Sequence, residues 1–209
     1  MNIRMKVCGM REPGNILEVS QLHPEYMGFI FYTGTPRYVG PDFKVPDEFP
    51  AFIKRVGVFV NETTANIIAK AEEHRLDFVQ LHGGESVRQC HELRTHGVGV
   101  IKVFSIDENM DFTVTRDYRD EVDFFLFDTK GRFYGGNAIS FDWGLLERYD
   151  QSVPFFISGG ITPQNAERVK MLKDFNLQAI DLNSGVEVTP ALKDVAKIKA
   201  IRLILNSKE

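Results

Sequence analysis

Two side chains that can transfer protons each follow a short run of strand-forming residues. Cys8 ends the first apolar run and is followed by Gly9, and Asp128 directly follows the run Phe124–Phe127. A thiol has an ordinary pKa of about 8.5, so it needs only modest help to act as a base near neutrality. Partial burial favours the protonated form of a carboxyl group, which suits a general acid. The pair therefore predicts proton-transfer chemistry on a small molecule.

Both residues also have a plainer interpretation. A lone cysteine is more often a small buried apolar side chain, and an aspartate in this place can simply cap a helix or close a turn. The position of Cys8 at a strand end, next to Gly9, favours the interpretation in which the thiol faces a pocket.

Two loops in the last third of the chain are suited to bind a phosphate group. Gly159 and Gly160 follow one apolar run, and Ser184 and Gly185 follow the next. Glycine lets the backbone approach an anion closely, and the N–H groups at a helix start supply donors. One such loop would equally be explained as a tight turn, but two at neighbouring strand ends favour a phosphate site.

Three further polar residues lie where strands are expected to end. Arg37 follows the second run, where it is suited to hold a carboxylate with two hydrogen bonds, although most loop arginines are simply solvated. Gln80 and His82 bracket the end of the fourth run, where one of them is suited to bind a substrate hydroxyl. His82 alone does not make a metal site.

The elements that must position these residues are eight near-continuous apolar runs, a pattern typical of parallel strands covered on both faces. The predicted strands are Ile3–Cys8, Tyr26–Tyr32, Val56–Val60, Phe78–Leu81, Val98–Phe104, Phe124–Phe127, Phe155–Ser158 and Ala179–Leu182.

Amphipathic stretches between most of the runs predict helices. One opens at Asn61–Thr64, one covers Glu85–Leu93, and the last covers Pro190–Leu205. Another covers Pro163–Leu172, with Thr162 as N-cap and Pro163 in the first helical position. The polar stretch Ile106–Glu121 predicts only a short helix in the fifth unit.

The strand starts recur about every 25 residues, the length of one βα unit. Eight such units without a linker predict an α/β fold, a single-domain (β/α)₈ TIM barrel over residues 1–209. An open doubly wound sheet is the alternative, but no Gly-x-Gly-x-x-Gly motif follows the first strand. In the barrel, the ends of all eight strands lie on one face, which would bring Cys8 and Asp128 together.

Composition excludes several classes of protein. The 209 residues are 43% hydrophobic and 26% charged, with a net charge of −4 and no basic stripe, so we expect no nucleic-acid partner. No apolar stretch approaches the roughly 18 residues that span a bilayer, and the charged N-terminus is unlike a signal peptide, so no membrane partner is expected.

The cysteine count bears on the cellular compartment. Cys8 and Cys90 are the chain's only cysteines, which argues against a disulfide framework and for a cytoplasmic protein. A single disulfide between them is the less favoured alternative. Exposed apolar residues do not distinguish monomers from dimers, and we expect a monomer rather than a homodimer.

A series of motifs resembles the phosphoribosylanthranilate isomerase family in the family's order along essentially the whole chain. These motifs are Lys6–Met10, Gly28–Tyr32, Pro36–Val39, Val56–Asn61, Val79–Gly83, Phe127–Thr129, Gly135-Gly136, Phe141–Trp143, Ser158–Gly160 and Asn183–Glu187.

The resemblance implies a (β/α)₈ barrel that converts N-(5-phosphoribosyl)anthranilate into 1-(o-carboxyphenylamino)-1-deoxyribulose 5-phosphate in tryptophan synthesis, without metal or cofactor. It implies that Asp128 protonates the ribose ring oxygen as general acid and that Cys8 removes the C2 hydrogen as general base. Arg37 would hold the anthranilate carboxylate, and the glycine loops would bind the 5-phosphate of this phosphorylated small-molecule substrate.

Two places depart from the family pattern. Gly135-Gly136-Asn137-Ala138 stands where the family usually has Gly-Gly-Thr-Gly, and Pro190-Ala191 stands where it usually has Pro-Gly. An alanine at a positive φ costs on the order of 1 kcal/mol, so the first departure concerns the geometry of the loop after the sixth strand.

Three other functions were weighed. A pentose-phosphate epimerase would need several histidines around a metal, and His82 is the only histidine at a predicted strand end. A dual-substrate isomerase that also serves histidine synthesis would have an aspartate in place of Cys8. A non-catalytic barrel that binds a phosphorylated metabolite would be favoured by loss of Cys8 or Asp128, and both are present.

Overall fold

Eight parallel strands close into a barrel in the computed structural model, which describes residues 3–129 and 142–207. The strands follow one another around the barrel in chain order, and pairing of the first with the eighth closes it. They are β1 (Arg4–Val7), β2 (Tyr26–Ile30), β3 (Lys54–Phe59), β4 (Phe78–Leu81), β5 (Gly99–Ile106), β6 (Phe124–Thr129), β7 (Phe155–Ile157) and β8 (Leu177–Leu182). Each bound lies within two residues of its prediction, and the predicted barrel is confirmed.

Alternate residues of each strand point into the barrel, and the residues between them point outward toward the helices. One buried cluster fills the lower interior; its members are Tyr26, Val56, Ile101, Val103, Leu126, Phe156 and Ala179. A smaller cluster of Cys8, Ile30 and Val58 lies one step further along the same strands. The interior is therefore packed with side chains, and the space for a ligand lies above it, at the carboxyl ends of the strands.

Four α-helices and four 3₁₀ helices occur in the described residues. The α-helices are α1 (Pro13–Ser20), α2 (Thr64–His74), α3 (Val87–Thr95) and α4 (Val195–Asn206). The 3₁₀ helices are Phe112–Tyr118, Trp143–Arg148, Ala166–Leu172 and Ser184–Val186. The hydroxyl groups of Thr63 and Ser86 cap α2 and α3, close to the predicted starts, and the fifth unit has the short helix that was expected.

The predicted start of the helix after β7 is wrong. The helix begins at Ala166, so Thr162 is not its N-cap and Pro163 lies in the turn before it. The reason is the side chain of Asn165, whose Oδ1 accepts from Thr162 N at 2.8 Å while its Nδ2 donates to Gly160 O at 2.8 Å. These bonds hold the segment as a loop.

The predicted start of the last helix at Pro190 is also wrong. A short antiparallel hairpin precedes the helix, formed by β9 (Glu187–Thr189) and β10 (Leu192–Lys193). Ala191 turns the hairpin at φ +69°, in the left-handed region that favours glycine. Asp194 then caps α4 by accepting from Ala196 N and Lys197 N.

Two other expectations can be compared with the structure. Cys8 and Cys90 are both free and buried, so the less favoured disulfide does not occur. None of the helices in the described ranges is long and apolar enough to cross a membrane. The motif residues Gly135-Gly136, the departure at Ala138, and Phe141 lie outside the described residues.

Candidate active site

A cavity that opens to solvent lies at the carboxyl ends of the barrel strands, and it spans about 650 Å³ when the space at its mouth is included. Its walls include eight of the nine residues singled out in the sequence: Cys8, Gln80, His82, Asp128, Gly159, Gly160, Ser184 and Gly185. Because the strands are parallel and closed in chain order, residues far apart in sequence meet here. The ninth residue, Arg37, lies next to this wall: its Cδ is 3.1 Å from the point where a Cβ on Gly9 would stand.

Cys8 is buried against β2, with 3% of its surface exposed. A Cβ on Gly28 would stand only 2.7 Å from Cys8 Sγ, so a glycine is needed for the sulfur to fit. Burial raises the pKa of the Cys8 thiol, and the positive charges of Lys6 and Lys193 act against that rise. Burial therefore has the larger effect on the thiol, and the nearby cations partly offset it.

Asp128 lies across the cavity at the end of β6 and is 5% exposed. Its Oδ1 accepts from Thr129 N at 2.9 Å, and its Oδ2 lies 3.5 Å from Nε2 of His82. The other ring nitrogen of His82, Nδ1, lies 3.3 Å from Nε2 of Gln80. If the Gln80 amide donates to Nδ1, the proton of a neutral His82 is on Nε2 and faces Asp128.

Gln80 leaves one polar atom of the cavity wall without a partner. Its Oε1 is buried and accepts no hydrogen bond from any described residue. A buried acceptor without a donor is costly, on the order of 1–3 kcal/mol. This atom can therefore accept a hydrogen bond from a ligand hydroxyl.

The two glycine loops meet at one side of the cavity. Gly159 and Gly160 have φ values of +102° and +62°, which favour glycine at both positions. A Cβ on Gly185 would overlap the carbonyl oxygen of Ile161, so the loops after β7 and β8 are packed directly against each other. The 3₁₀ helix Ser184–Val186 begins here, and the first N–H groups of a helix lack partners within it. Such a surface suits an anion.

Arg37 forms an ion pair with Glu187 of β9. Its Nε donates to Glu187 Oε1 at 2.9 Å and its Nη2 donates to Oε2 at 2.6 Å. Within the described part of the chain, Nη1 has no hydrogen-bond acceptor, so that edge of the guanidinium group can bind a ligand carboxylate.

Glu187 in turn joins Arg37 to the hairpin. It accepts from Lys193 Nζ at 2.7 Å and from Ala191 N at 3.0 Å. Burial alone would raise the pKa of Glu187, but the hydrogen bonds and charges of Arg37 and Lys193 outweigh it and hold that pKa below the usual value. Glu187 is therefore ionised and orients Arg37.

A second buried ion pair lies below Cys8. Lys6 Nζ donates to Asp181 Oδ1 at 2.9 Å, and Asp181 also lines the cavity. Sequence reasoning assigned no role to Lys6, Asp181, Glu187 or Lys193. The available signal for Lys6 was its position two residues before Cys8 on a strand, which places both side chains on one face.

The sequence model of the family described as PRAI, N-(5'phosphoribosyl)anthranilate (PRA) isomerase, matches residues 5–202. A protein of Parabacteroides distasonis named N-(5'-phosphoribosyl)anthranilate isomerase is 46% identical over 198 residues, which are 93% of this chain and 90% of the relative. One of Thermotoga neapolitana with the same name is 37% identical, covering 92% of this chain and 93% of the relative.

Solved structures agree with these relatives. The phosphoribosyl anthranilate isomerase of Thermotoga maritima superposes with a TM-score of 0.84 at 31% identity, over 97% of this chain and 98% of that one. A phosphoribosyl anthranilate isomerase in complex with reduced 1-(o-carboxyphenylamino)-1-deoxyribulose 5-phosphate superposes with a TM-score of 0.81 at 31% identity, covering 96% and 97%. Another similar structure comes from engineered monomers of the dimeric Thermotoga maritima isomerase, with a TM-score of 0.81 and 29% identity over 99% of this chain and 100% of that one.

Proposed function

The chain belongs to the N-(5'-phosphoribosyl)anthranilate isomerase family, and we propose that Asp128 and Cys8 are the acid and the base of its isomerisation. The enzyme is an isomerase, and its substrate is the phosphorylated small molecule N-(5'-phosphoribosyl)anthranilate. The product is 1-(2-carboxyphenylamino)-1-deoxy-D-ribulose 5-phosphate, an intermediate of L-tryptophan biosynthesis. The observation that carries the assignment is that a thiol and a carboxyl group line one cavity.

The order of proton transfers follows from the chemistry of the substrate. Asp128 gives its proton to the ribose ring oxygen, the C1–O bond breaks, and the anthranilate nitrogen becomes part of an iminium ion. The positive charge makes the hydrogen on C2 acidic, and Cys8 takes it as a proton, leaving an enolamine. The enolamine then gains a proton on C1 and loses its C2 hydroxyl proton to give the ketone, so that no net proton is gained or lost.

The side chains around the acid support this division of roles. The backbone N–H of Thr129 donates to Oδ1 of Asp128, and the ring of His82 lies 3.5 Å from Oδ2, so both oxygens of the acid are held in place at the cavity wall. The free Oε1 of Gln80 is placed to accept from a ribose hydroxyl.

Two ends of the substrate have matching surfaces. We assign the 5-phosphate to Gly159, Gly160, Ser184 and Gly185, whose loops combine positive φ values with a helix start. We assign the anthranilate carboxylate to Arg37, whose Nη1 edge is open while Glu187 holds the other edge.

Turnover tests the activity directly. N-(5'-phosphoribosyl)anthranilate is generated in situ, and loss of its fluorescence is followed with purified protein. We expect Cys8→Ser and Asp128→Asn each to lose at least about 100-fold in kcat, the scale of general acid or base catalysis. Both variants should still bind the reduced product analogue, measured by calorimetry.

The matched control is Cys90→Ala, because Cys90 is fully buried and does not line the cavity. It should retain kcat. Near-normal kcat in Cys8→Ser or Asp128→Asn would remove that residue from the mechanism, and a wild-type protein without turnover would overturn the whole assignment.

Three expectations about the whole protein stay predictions. Residues 1–209 are proposed to form one domain, which is proposed to act as a monomer rather than a homodimer. We propose the cytoplasm as its location.

A further inference from the structure

Lys6 lies fully buried inside the barrel, with 0% of its surface exposed. It stands two residues before Cys8, so its side chain points to the same interior face of β1. The register of the barrel pairs Lys6 with Asp181 on β8, and the two side chains form an ion pair at 2.9 Å. Burying two charges is expensive, and apolar residues of similar volume usually hold a core at least as well. Stability is therefore a weak explanation for this pair.

We propose that Lys6 is a positioning residue of the isomerisation, whose ammonium group stabilises the thiolate form of Cys8 while Asp181 holds the ammonium group in place. This inference rests on the proposed role of Cys8 as the base. The register of β1 and β8 and the position of Lys6 two residues before Cys8 carry it.

The ammonium group of Lys6 can act on two anions: the Asp181 carboxylate that it binds, and the thiolate of Cys8 on the same face of β1. Burial would lower the pKa of Lys6, but the charges of Asp181 and Cys8, together with the hydrogen bond to Asp181, outweigh it and raise that pKa. Lys6 therefore keeps its proton in the interior. Its effects on the two neighbours are coupled, because a charge partly neutralised by Asp181 is less able to stabilise the Cys8 thiolate.

Lys193 acts on Cys8 from the hairpin side, but its ammonium group has other partners. It donates to Asn183 Oδ1 at 2.8 Å and to Glu187 Oε1 at 2.7 Å. Lys6 shares the interior face of β1 with Cys8, and its charge lowers the pKa of the thiol more than the charge of Lys193 does. For this reason we assign the role to Lys6.

The charged and titratable groups around Cys8 come from every side of the cavity. They are Lys6 on β1, Tyr32 and Arg37 after β2, His82 after β4, Asp128 on β6, Asp181 on β8, and Glu187 and Lys193 on the hairpin. Any measurement of Cys8 ionisation reports on all of them, so the test compares variants that change one charge at a time.

The test measures thiolate formation without relying on turnover. Wild type and Lys6→Met are treated with iodoacetamide at a series of pH values, and peptide mass spectrometry follows alkylation of Cys8. The expected result is a higher pH midpoint in Lys6→Met and an alkylation rate at pH 7 lower by about ten-fold, the change expected from loss of one close charge contact. Cys90 is the internal reference, because burial raises its pKa to about 11.

A second variant should move the midpoint the other way. Asp181→Asn removes a negative charge near Cys8 and frees Lys6 to act on the sulfur alone, so the midpoint should fall. Opposite shifts from the two partners of one ion pair are not expected from a general loss of packing. If Lys6→Met does not fold, as judged by circular dichroism, Asp181→Asn decides: a lower midpoint supports the proposal, and an unchanged or higher one overturns it.

The matched control is Lys102→Met. Lys102 is as deeply buried as Lys6 and pairs with Glu85 at 2.9 Å, but it contacts the loop after β4 and not Cys8. In Lys102→Met, the pH profile of Cys8 alkylation should equal that of wild type. An unchanged midpoint in folded Lys6→Met, or an equal shift in Lys102→Met, would overturn the proposal.

The pH dependence of turnover is an independent test of the role of Lys6. In Lys6→Met, the acidic limb of the kcat/KM profile should move to higher pH, with kcat recovering in alkaline buffer. If wild type shows no turnover, the proposed function fails, while the alkylation experiment still reports whether Lys6 controls the ionisation of Cys8.

Discussion

At the scale of single residues, the Cys8 sulfur can occupy its position only because Gly28 has no side chain. Gly28 on β2 faces Cys8, and an added Cβ would stand 2.7 Å from the sulfur and 3.1 Å from Cys8 Cα. Contacts this short cannot be relieved by rotating one flexible side chain, because the backbone of β1 is part of the obstacle. Displacements of about 1 Å at a reacting group can cost 100-fold in rate.

Gly28→Ala should therefore lose at least about ten-fold in kcat while the barrel still folds. The expected fault is a displaced sulfur, so alkylation of Cys8 should change as well. Steady-state kinetics and circular dichroism check the two parts. The control is Gly14→Ala in the first turn of α1, where an added Cβ meets nothing within 4 Å; loss of activity there, or full activity in Gly28→Ala, would contradict this explanation.

At the scale of elements, the hairpin β9–β10 determines where Arg37 is held. Its residue Glu187 is bound by Arg37, by Lys193 and by the backbone of Ala191. Ala191 adopts its positive φ in a buried position, where burial of its methyl group offsets a strain of about 1 kcal/mol by a similar amount. The hairpin thus keeps its shape without the glycine that the family usually has.

Glu187→Gln should destabilise the protein at pH 7 by roughly 3 kcal/mol, because it leaves two buried cations without their carboxylate. It should also raise KM more than it lowers kcat, since Arg37 is then poorly oriented. Urea denaturation and steady-state kinetics measure the two effects.

The effect of Glu187→Gln on the free energy of unfolding should depend on pH. The folded-state pKa of Glu187 is held below its ordinary value of 4.5, because hydrogen bonds and charges from Arg37 and Lys193 outweigh the effect of burial. Its contribution is therefore present above that ordinary value and is lost as the pH falls through the lower folded-state pKa. The stability difference between wild type and Glu187→Gln should narrow below about pH 4.5. Glu73→Gln, at an exposed carboxylate, is the control; a difference that stays constant down to acid unfolding would contradict the assigned ion pair.

At the scale of the whole molecule, strands from both ends of the chain pair to close the barrel, and the last helix packs outside it. Strand β1 near the start pairs with β8 near the end, and α4 then packs against the 3₁₀ helix Ala166–Leu172. The face of α4 toward the barrel buries Ile198, Ile201 and Leu205. Because both glycine loops lie next to these elements, packing of α4 supports the proposed phosphate site from outside.

Ile201→Ala should lower the free energy of unfolding by about 3 kcal/mol, through lost burial and the cavity left behind. Leu203→Ala on the same helix should change it by less than about 0.5 kcal/mol, because Leu203 is 73% exposed. Urea denaturation compares the two variants. Equal midpoints would show that α4 does not contribute to the barrel in the way its packing implies.

The sequence by itself determined the eight strands, their order and the face on which the chemistry lies. Apolar runs are a local signal, since a strand covered on both faces has apolar residues at consecutive positions along its whole length. Because this signal comes only from neighbouring positions in the sequence, the starts of two helices were predicted wrongly. Side-chain bonds from Asn165 and the positive φ of Ala191 depend on neighbours in space that hydrophobic periodicity does not report.

Only the tertiary structure decided which charges meet around Cys8. Lys6 and Asp181 are 175 positions apart, and Arg37 and Glu187 are 150 apart. Each pair forms only because the barrel closes and brings the first and last strands together. Strand propensity and amphipathic spacing describe single segments, whereas an ion pair between distant segments depends on register, depth of burial and the side chains between them. The candidate acid and base were therefore recognisable from sequence, while the cations that act on the base were not.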